Sequence, residues 1–383
     1  MLGGRINRRR MMAMAAVTLL AGCQVVPRVE PQPRPTPSPS ATGLPSDQGR
    51  HRVALLVPLS GPNSDVGQAI ANAATMALLD TSADSIRITT YDTATGADSA
   101  AARALSDGNK LILGPLMSDD VTPVLARARP AGVPIITFSN DSSVAARDVF
   151  VMGISPDASI AQTVDYAAKR SSRKFAILVP AGDYGVRAEA AYRSAVSRSG
   201  GTIVARDTYD RGNTSIISAA QRLKKKGGFD TILLAESARL SIQAAGAVRA
   251  AGAATPQLLG TELWSGDASI ASSAALRGAL FSSVSDGRFG QFAESYRSRF
   301  GTAPHRIATL GYDAVLLTIR LARNWKPGTT LPTERLVQSD AFLGVDGAFR
   351  FRSNGVIERA MEVRQVGKGR IDVVSPAPAK FDD

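Results

Sequence analysis

The run Val53–Ser60, Val-Ala-Leu-Leu-Val-Pro-Leu-Ser, constrains this chain more than any other stretch. It is apolar and uncharged, and Gly61-Pro62-Asn63-Ser64 closes it as a turn. Val66, Ile70, Ala73, Ala77 and Leu78 then recur on one face at helical spacing. A strand with no polar face has to be covered on both sides, which is where a strand of a parallel α/β sheet sits. The same opening returns about 120 residues later, as Phe175–Pro180 followed by Ala181-Gly182-Asp183-Tyr184-Gly185 and a second helical pattern. Two matched strand–loop–helix units predict two similar lobes. Ligands of open α/β sheets sit beyond the carboxyl ends of the strands, so these two loops are the first place to look for function.

Strand and helix patterns alternate from Val53 onward. Apolar runs at Ile86–Tyr91, Leu111–Leu113, Pro134–Phe138 and Val149–Ile154 read as strands of the first lobe. Phe175–Val179, Thr202–Tyr209, Thr231–Ala235, Gln257–Gly260 and Ala279–Val284 read as strands of the second. Helical patterns fill the gaps, which predicts mostly parallel sheets with helices on both faces. Phe289–Phe300 and Ile307–Arg323 are helices without intervening strands, and Ala348–Phe351 with Met361–Val366 reads as a hairpin around Asn354-Gly355.

The amino terminus belongs to a different kind of segment. Arg5 and Arg8–Arg10 precede an apolar run, Met11–Leu20, that is too short to span a bilayer and has the layout of a secretory signal. It ends in Leu20-Ala21-Gly22-Cys23, which resembles the bacterial lipobox. That resemblance implies removal of residues 1–22, lipidation of Cys23 and anchoring in a membrane. Gln24 at the next position resembles the outer-membrane sorting pattern of enteric bacteria. Cys23 is the only cysteine among 383 residues, so a disulfide within the chain and a Cys-rich metal site are both excluded. Residues 24–50 carry seven prolines, a composition that favours extended polyproline II and builds no core. At ~3.1 Å per residue this tether reaches roughly 80 Å. The leader holds four arginines and no acid, so the remainder keeps a formal charge of +8 rather than +12. No basic, aromatic-rich motif accompanies that charge, and nucleic acid is not expected as a partner.

Several motifs resemble one family in order and spacing. They are Val57-Pro58-Leu59-Ser60-Gly61, Tyr91-Asp92-Thr93, Leu113-Gly114-Pro115-Leu116-Met117-Ser118, Gly132-Val133-Pro134-Ile135, Asp183-Tyr184-Gly185 and Leu310-Gly311-Tyr312-Asp313-Ala314. Together they look like the type I periplasmic solute-binding fold in its leucine-binding branch, over about residues 51–370. The resemblance implies two lobes joined by three crossings. Residues 51–158 with 287–325 would form the first lobe, and 159–286 with 340–375 the second. The lipobox, the tether and the closing Gly347–Arg352 and Asn354-Gly355 pattern look most like the lipoprotein activators of penicillin-binding proteins. In those activators this domain contacts a peptidoglycan synthase. The helical-repeat domain of the enteric activators is missing between tether and first strand.

The resemblance also names cleft residues. Ser118 matches a serine that binds the ligand in amino-acid receptors, although Ser at a helix start is also an ordinary cap and Asp119-Asp120 oppose a carboxylate there. Ser139 ends a strand facing the same cleft, in a Ser-Asn-Asp-Ser turn unlike the usual Ser/Thr-Pro-type turn. Tyr184 matches the cleft tyrosine of the second lobe, and Glu262 matches the acid that holds a ligand amine. Glu236 is a further strand-end acid. Only His51 and His305 exist, and no His-Glu-x-x-His, Gly-x-Ser-x-Gly or phosphate-loop motif is present, so the chain reads as non-enzymatic and without cofactor or metal. The two functional expectations are a synthase regulator on the outer membrane and a receptor delivering amino acids or similar solutes to a transporter.

Overall fold

The computed structural model describes residues 49–212, 215–249, 255–338, 340–378 and 381. The leader, Cys23 and all of the tether before Gly49 lie outside the described residues.

The first lobe opens with β1 (His51–Val57), α1 (Ser64–Thr81), β2 (Ile86–Asp92), α2 (Ala97–Ser106) and β3 (Leu111–Leu113). A 3-10 turn at Ser118–Asp120 leads into α3 (Val121–Ala128), followed by β4 (Ile135–Thr137) and β5 (Val149–Val151). These strands make one parallel sheet in the order β2-β1-β3-β4-β5. The second lobe runs through α4 (Pro156–Lys169), β6 (Lys174–Pro180), α5 (Asp183–Arg198), β7 (Thr202–Tyr209), α6 (Ser215–Lys226) and β8 (Thr231–Leu234). It continues with α7 (Ala238–Arg249), β9 (Gln257–Leu259), α8 (Ala268–Ser272) and β10 (Leu280–Ser283). Its strands take the equivalent order, β7-β6-β8-β9-β10, all parallel. The repeat visible in the sequence is therefore a repeat of topology.

Coverage of both sheet faces explains the uninterrupted apolar runs. Along β1, Val53, Leu55 and Val57 pack on one face with Ile70 of α1, while Ala54 and Leu56 pack on the other with Ala100 of α2 and Val124 of α3. Along β6, Ala176 and Leu178 face Ala219 and Ala244, and Phe175, Ile177 and Val179 face Ile160 and Tyr192. Side chains alternate along a strand, so a strand buried on both faces has no position left for a polar residue.

Helices α9 (Phe289–Phe300) and α10 (Thr309–Ala322) return to the first lobe, where Leu310, Ala314 and Val315 join the core of β1. The tail departs from expectation. The expectation is one hairpin within the second lobe, but the tail divides between the two. Strands β11 (Phe342–Gly344), β12 (Gly347–Phe351) and β13 (Ile357–Arg359) form a small antiparallel sheet. Its Phe342, Phe349, Phe351 and Ile357 pack into the first lobe's core. Asn354-Gly355 does turn a hairpin, but the partner of β12 is the three-residue β13. The stretch read as the return strand is β14 (Glu362–Val366), which pairs antiparallel with β10 in the second sheet and with β15 (Ile371–Ser375) at its edge. The physical reason is a buried guanidinium. Arg359 donates to the Met152 carbonyl at 2.7 Å, stacks over Phe349 and holds the tail at the junction between lobes.

Candidate functional site

The loops after β1, β3 and β4 in the first lobe face those after β6, β9 and β10 in the second. Between them lies a cleft of about 650 Å³, lined by Ser118, Ser139 and Arg306 on one side and by Asp183, Arg187 and Glu262 on the other. That volume falls within the usual range for small-molecule sites.

Glycines set the close approaches that build its walls. A Cβ on Gly67 would lie 1.8 Å from the Pro58 carbonyl oxygen, and one on Gly185 would lie 1.8 Å from that of Pro180. The first turns of α1 and α5 therefore press on the strand-ending prolines in the same way in both lobes. Gly114, at φ +101°, passes over the Leu56 carbonyl, which accounts for the glycine of Leu113-Gly114-Pro115.

Ser118, Ser139 and Glu262 line the cleft as the sequence suggested, while Tyr184 stands behind Glu262 and is not part of the lining. Ser118 begins the 3-10 turn and makes no cap bond; its hydroxyl lies 3.4 Å from Asp119. Ser139 is buried, and its Oγ accepts the Asp141 N–H at 3.1 Å, a turn-forming role. The Tyr184 hydroxyl lies 3.0 Å from Thr261 Oγ1 and donates to Glu262 Oε1 at 3.1 Å. Burial raises the Tyr184 phenol well above its usual range, with the Glu262 charge adding to it. Burial also pushes the Glu262 carboxyl up to about 7, against the pull of hydrogen bonds from its own backbone and Tyr184. Its second oxygen, Oε2, is covered and has no partner among the described residues. Glu236 is not a cleft acid. It is buried, accepting from Tyr209 at 2.6 Å and Arg211 at 2.7 Å, while its carbonyl receives Trp264 Nε1.

Two arginines were missed by the sequence reading. Arg187, in α5, pairs with Asp141 of the first lobe at 2.5 Å and reaches Asn140 Oδ1 at 3.4 Å. Arg306 is held by Asp346 at 2.5 Å and lies over the Phe289 ring at 4.3 Å. A positive charge near a helix N-terminus opposes the dipole, and that was the available signal for Arg187. Arg306 opens the 3-10 turn Arg306–Ala308 that runs into α10, a place where a positive charge is equally unexpected. The cleft also holds covered polar atoms without partners among the described residues: Arg187 Nε, Arg306 Nε and Ser265 Oγ. Unpaired buried donors are uncommon in folded proteins, and each is a place where a further hydrogen-bonding group would be accommodated.

The periplasmic binding protein family model matches residues 51–370. The chain belongs to the periplasmic binding protein family. Among solved structures, the leucine-binding protein LivK from Thermotoga maritima superposes with a TM-score of 0.62 at 19% identity, covering 85% of this chain and 98% of that one. Full-length LpoA from Haemophilus influenzae gives a TM-score of 0.67 at 19% identity, covering 85% of this chain and 59% of LpoA. These superpositions establish a common fold, the two-lobed type I arrangement. A curated protein of Rickettsia prowazekii, RP748, named as uncharacterized, is 30% identical over 143 residues, or 36% of this chain and 38% of its own length. The chain thus spans under two thirds of both LpoA and the Rickettsia protein.

Proposed function

We propose that this chain is a non-enzymatic, lipid-anchored protein of the cell envelope that regulates a peptidoglycan synthase, a penicillin-binding protein, by direct contact. Cys23 is the lipidated residue in this reading, and the Pro-rich segment carries the two-lobed domain away from an outer-membrane anchor. The observation that carries it is that two of the four candidate ligand positions are already engaged within their own lobe. Ser139 serves its own turn and Tyr184 bonds within its own lobe. Asp119 lines the cleft beside Ser118, where a ligand carboxylate would be repelled. Fold-level likeness to LpoA over 85% of the chain supports the same reading, as does the sequence's resemblance to the lipoprotein activators. The test is co-purification of the mature protein with each penicillin-binding protein of the same cell, followed by glycan polymerisation with and without it. Binding and faster polymerisation with one synthase are expected; neither with any of them rejects the reading.

A second reading is favoured by one observation, the cleft of about 650 Å³ lined from both lobes. In it the protein is a solute receptor, with Ser118, Ser139 and Glu262 as its ligand positions and Tyr184 holding Glu262 from behind. A ligand at 100 times its Kd adds ~2.7 kcal/mol of stability. For a lobe-sized unit that is a rise of roughly 5–10 °C in Tm. Such a rise with one amino acid or cell-wall fragment, lost in Ser118→Ala, would make the receptor reading primary.

A further inference from the structure

Arg187 stands at the meeting point of the two lobes. It belongs to α5 of the second lobe, yet its strongest partner, Asp141, belongs to the loop after β4 in the first. Neither residue lies on one of the three crossing segments, so the pair is free to form or break when the lobes rotate. Both side chains are largely shielded, at 21% and 14% exposure, where salt screens an ion pair much less than on an open surface. Asp141 is itself preorganised. Its Oδ1 accepts the Ser143 N–H at 2.9 Å and the Ser143 hydroxyl at 2.7 Å, which turns Oδ2 toward Arg187. A second bond joins the lobes next door, from Ser142 Oγ to Asp157 Oδ2 at 2.8 Å.

The cleft lining carries stranded polar atoms. Arg187 Nε, Glu262 Oε2 and Ser265 Oγ of the second lobe, and Arg306 Nε of the first, are all covered from solvent with no partner among the described residues. All four residues line the cleft between the lobes. A covered, unsatisfied donor or acceptor opposes the state that covers it. Between the lobes, then, one well-built ion pair and the neighbouring Ser142–Asp157 bond stand against four stranded groups in the cleft lining. Such a balance is set by whichever contact is easiest to remove.

We propose that the Arg187–Asp141 pair is an inter-lobe latch, which holds the cleft shut in the absence of any occupant. Entry to the cleft then requires breaking the pair, and a protein without it rests with its lobes apart. The latch goes beyond either functional reading, because it concerns the resting position of the lobes and not what they contact.

The test is the distance between spin labels on the two lobes, measured by pulsed electron resonance in the full chain with Cys23→Ser. Labels at Leu79→Cys and Val204→Cys occupy exposed positions, one on each lobe. The protein with Arg187 and Asp141 intact is expected to give a narrow distribution. Arg187→Gln and Asp141→Asn should each shift it to longer distances and broaden it, and the exchanged pair Arg187→Asp with Asp141→Arg should recover the narrow peak. Arg187→Lys keeps the charge and should remain narrow, which separates loss of the pair from a damaged fold. An unchanged distribution in either neutral variant overturns the latch. So does an exchanged pair that stays open, since the two residues would then act separately.

Discussion

Glu262 has two carboxylate oxygens in different surroundings, one bonded to Tyr184 and the other covered and alone. Its folded pKa of about 7 exceeds the ordinary 4.5, so the folded state holds the proton more tightly than the unfolded chain does. The stability this contributes is fully present below about 4.5 and is lost as pH rises through about 7. Glu262→Gln keeps the shape and removes the titration. Urea unfolding at pH 5 and pH 8 should show the unsubstituted protein losing of order 1–3 kcal/mol more than the variant across that interval. Equal losses in both proteins would mean that Glu262 is solvated when folded. The motif resemblance found this acid, but its neighbours Arg187 and Ser265 were not legible. A lone Ser in a loop has no periodicity, and the unfavourable place of Arg187 in the first turns of its helix marks the residue without naming its partners, so only the fold brings them together.

Among the elements, the paired openings of the two lobes make a matched test. Gly67 and Gly185 each leave room for a proline carbonyl that a methyl group would strike at 1.8 Å. The backbone has to move for either alanine, and overpacking of this kind typically costs 1–3 kcal/mol. Gly67→Ala and Gly185→Ala should both lower the unfolding free energy by that amount. Gly246→Ala is the contrast, because that glycine is exposed within α7 and meets nothing within 4 Å. Better helix propensity should raise stability there by up to about 1 kcal/mol. A Gly67→Ala protein as stable as its parent would mean that α1 can shift away from Pro58. These elements were legible because burial on both faces writes itself into a strand as an unbroken apolar run. The pairing of the tail was not. Met361–Val366 reads as a strand, but its place beside β10 rests on the buried Glu362 and Arg364, which pair with each other at 2.7 Å while Arg364 also reaches Asp286, and no apolar pattern announces that. Strand β13, Ile-Glu-Arg, is too short and polar to show a period.

For the molecule as a whole, that tail is shared between the two lobes, and they are expected to unfold as one. Strands β11 to β13 complete the first core and β14 with β15 completes the second sheet, so neither lobe is finished until the last residues are placed. The charges at the junction follow the same logic. Arg364 donates to Glu362, to Asp286 at 2.5 Å and to the Val284 carbonyl at 2.9 Å, while Asp286 also faces Arg306 of the first lobe at 3.5 Å. Arg306 in turn holds Asp346 of the small sheet, which Thr309 also bonds at 2.7 Å. The Arg364 side chain is only 6% exposed, and removing one partner of a buried ion pair costs about 3–5 kcal/mol. The surface pair of Arg370 with Asp372 should be worth under about 1 kcal/mol. The chain has two tryptophans, and each is buried in a different lobe: Trp325 in the first and Trp264 in the second. Variants with Trp264→Phe or Trp325→Phe therefore report on one lobe each. Their denaturation midpoints should coincide while Arg364 is present. Arg364→Met should lower both and draw them apart, with the second lobe melting first because Glu362 and the Val284 carbonyl are left buried there without their donor. Arg370→Met should leave them together. Midpoints that already differ with Arg364 intact would mean that the lobes fold independently and that the shared tail only tethers them.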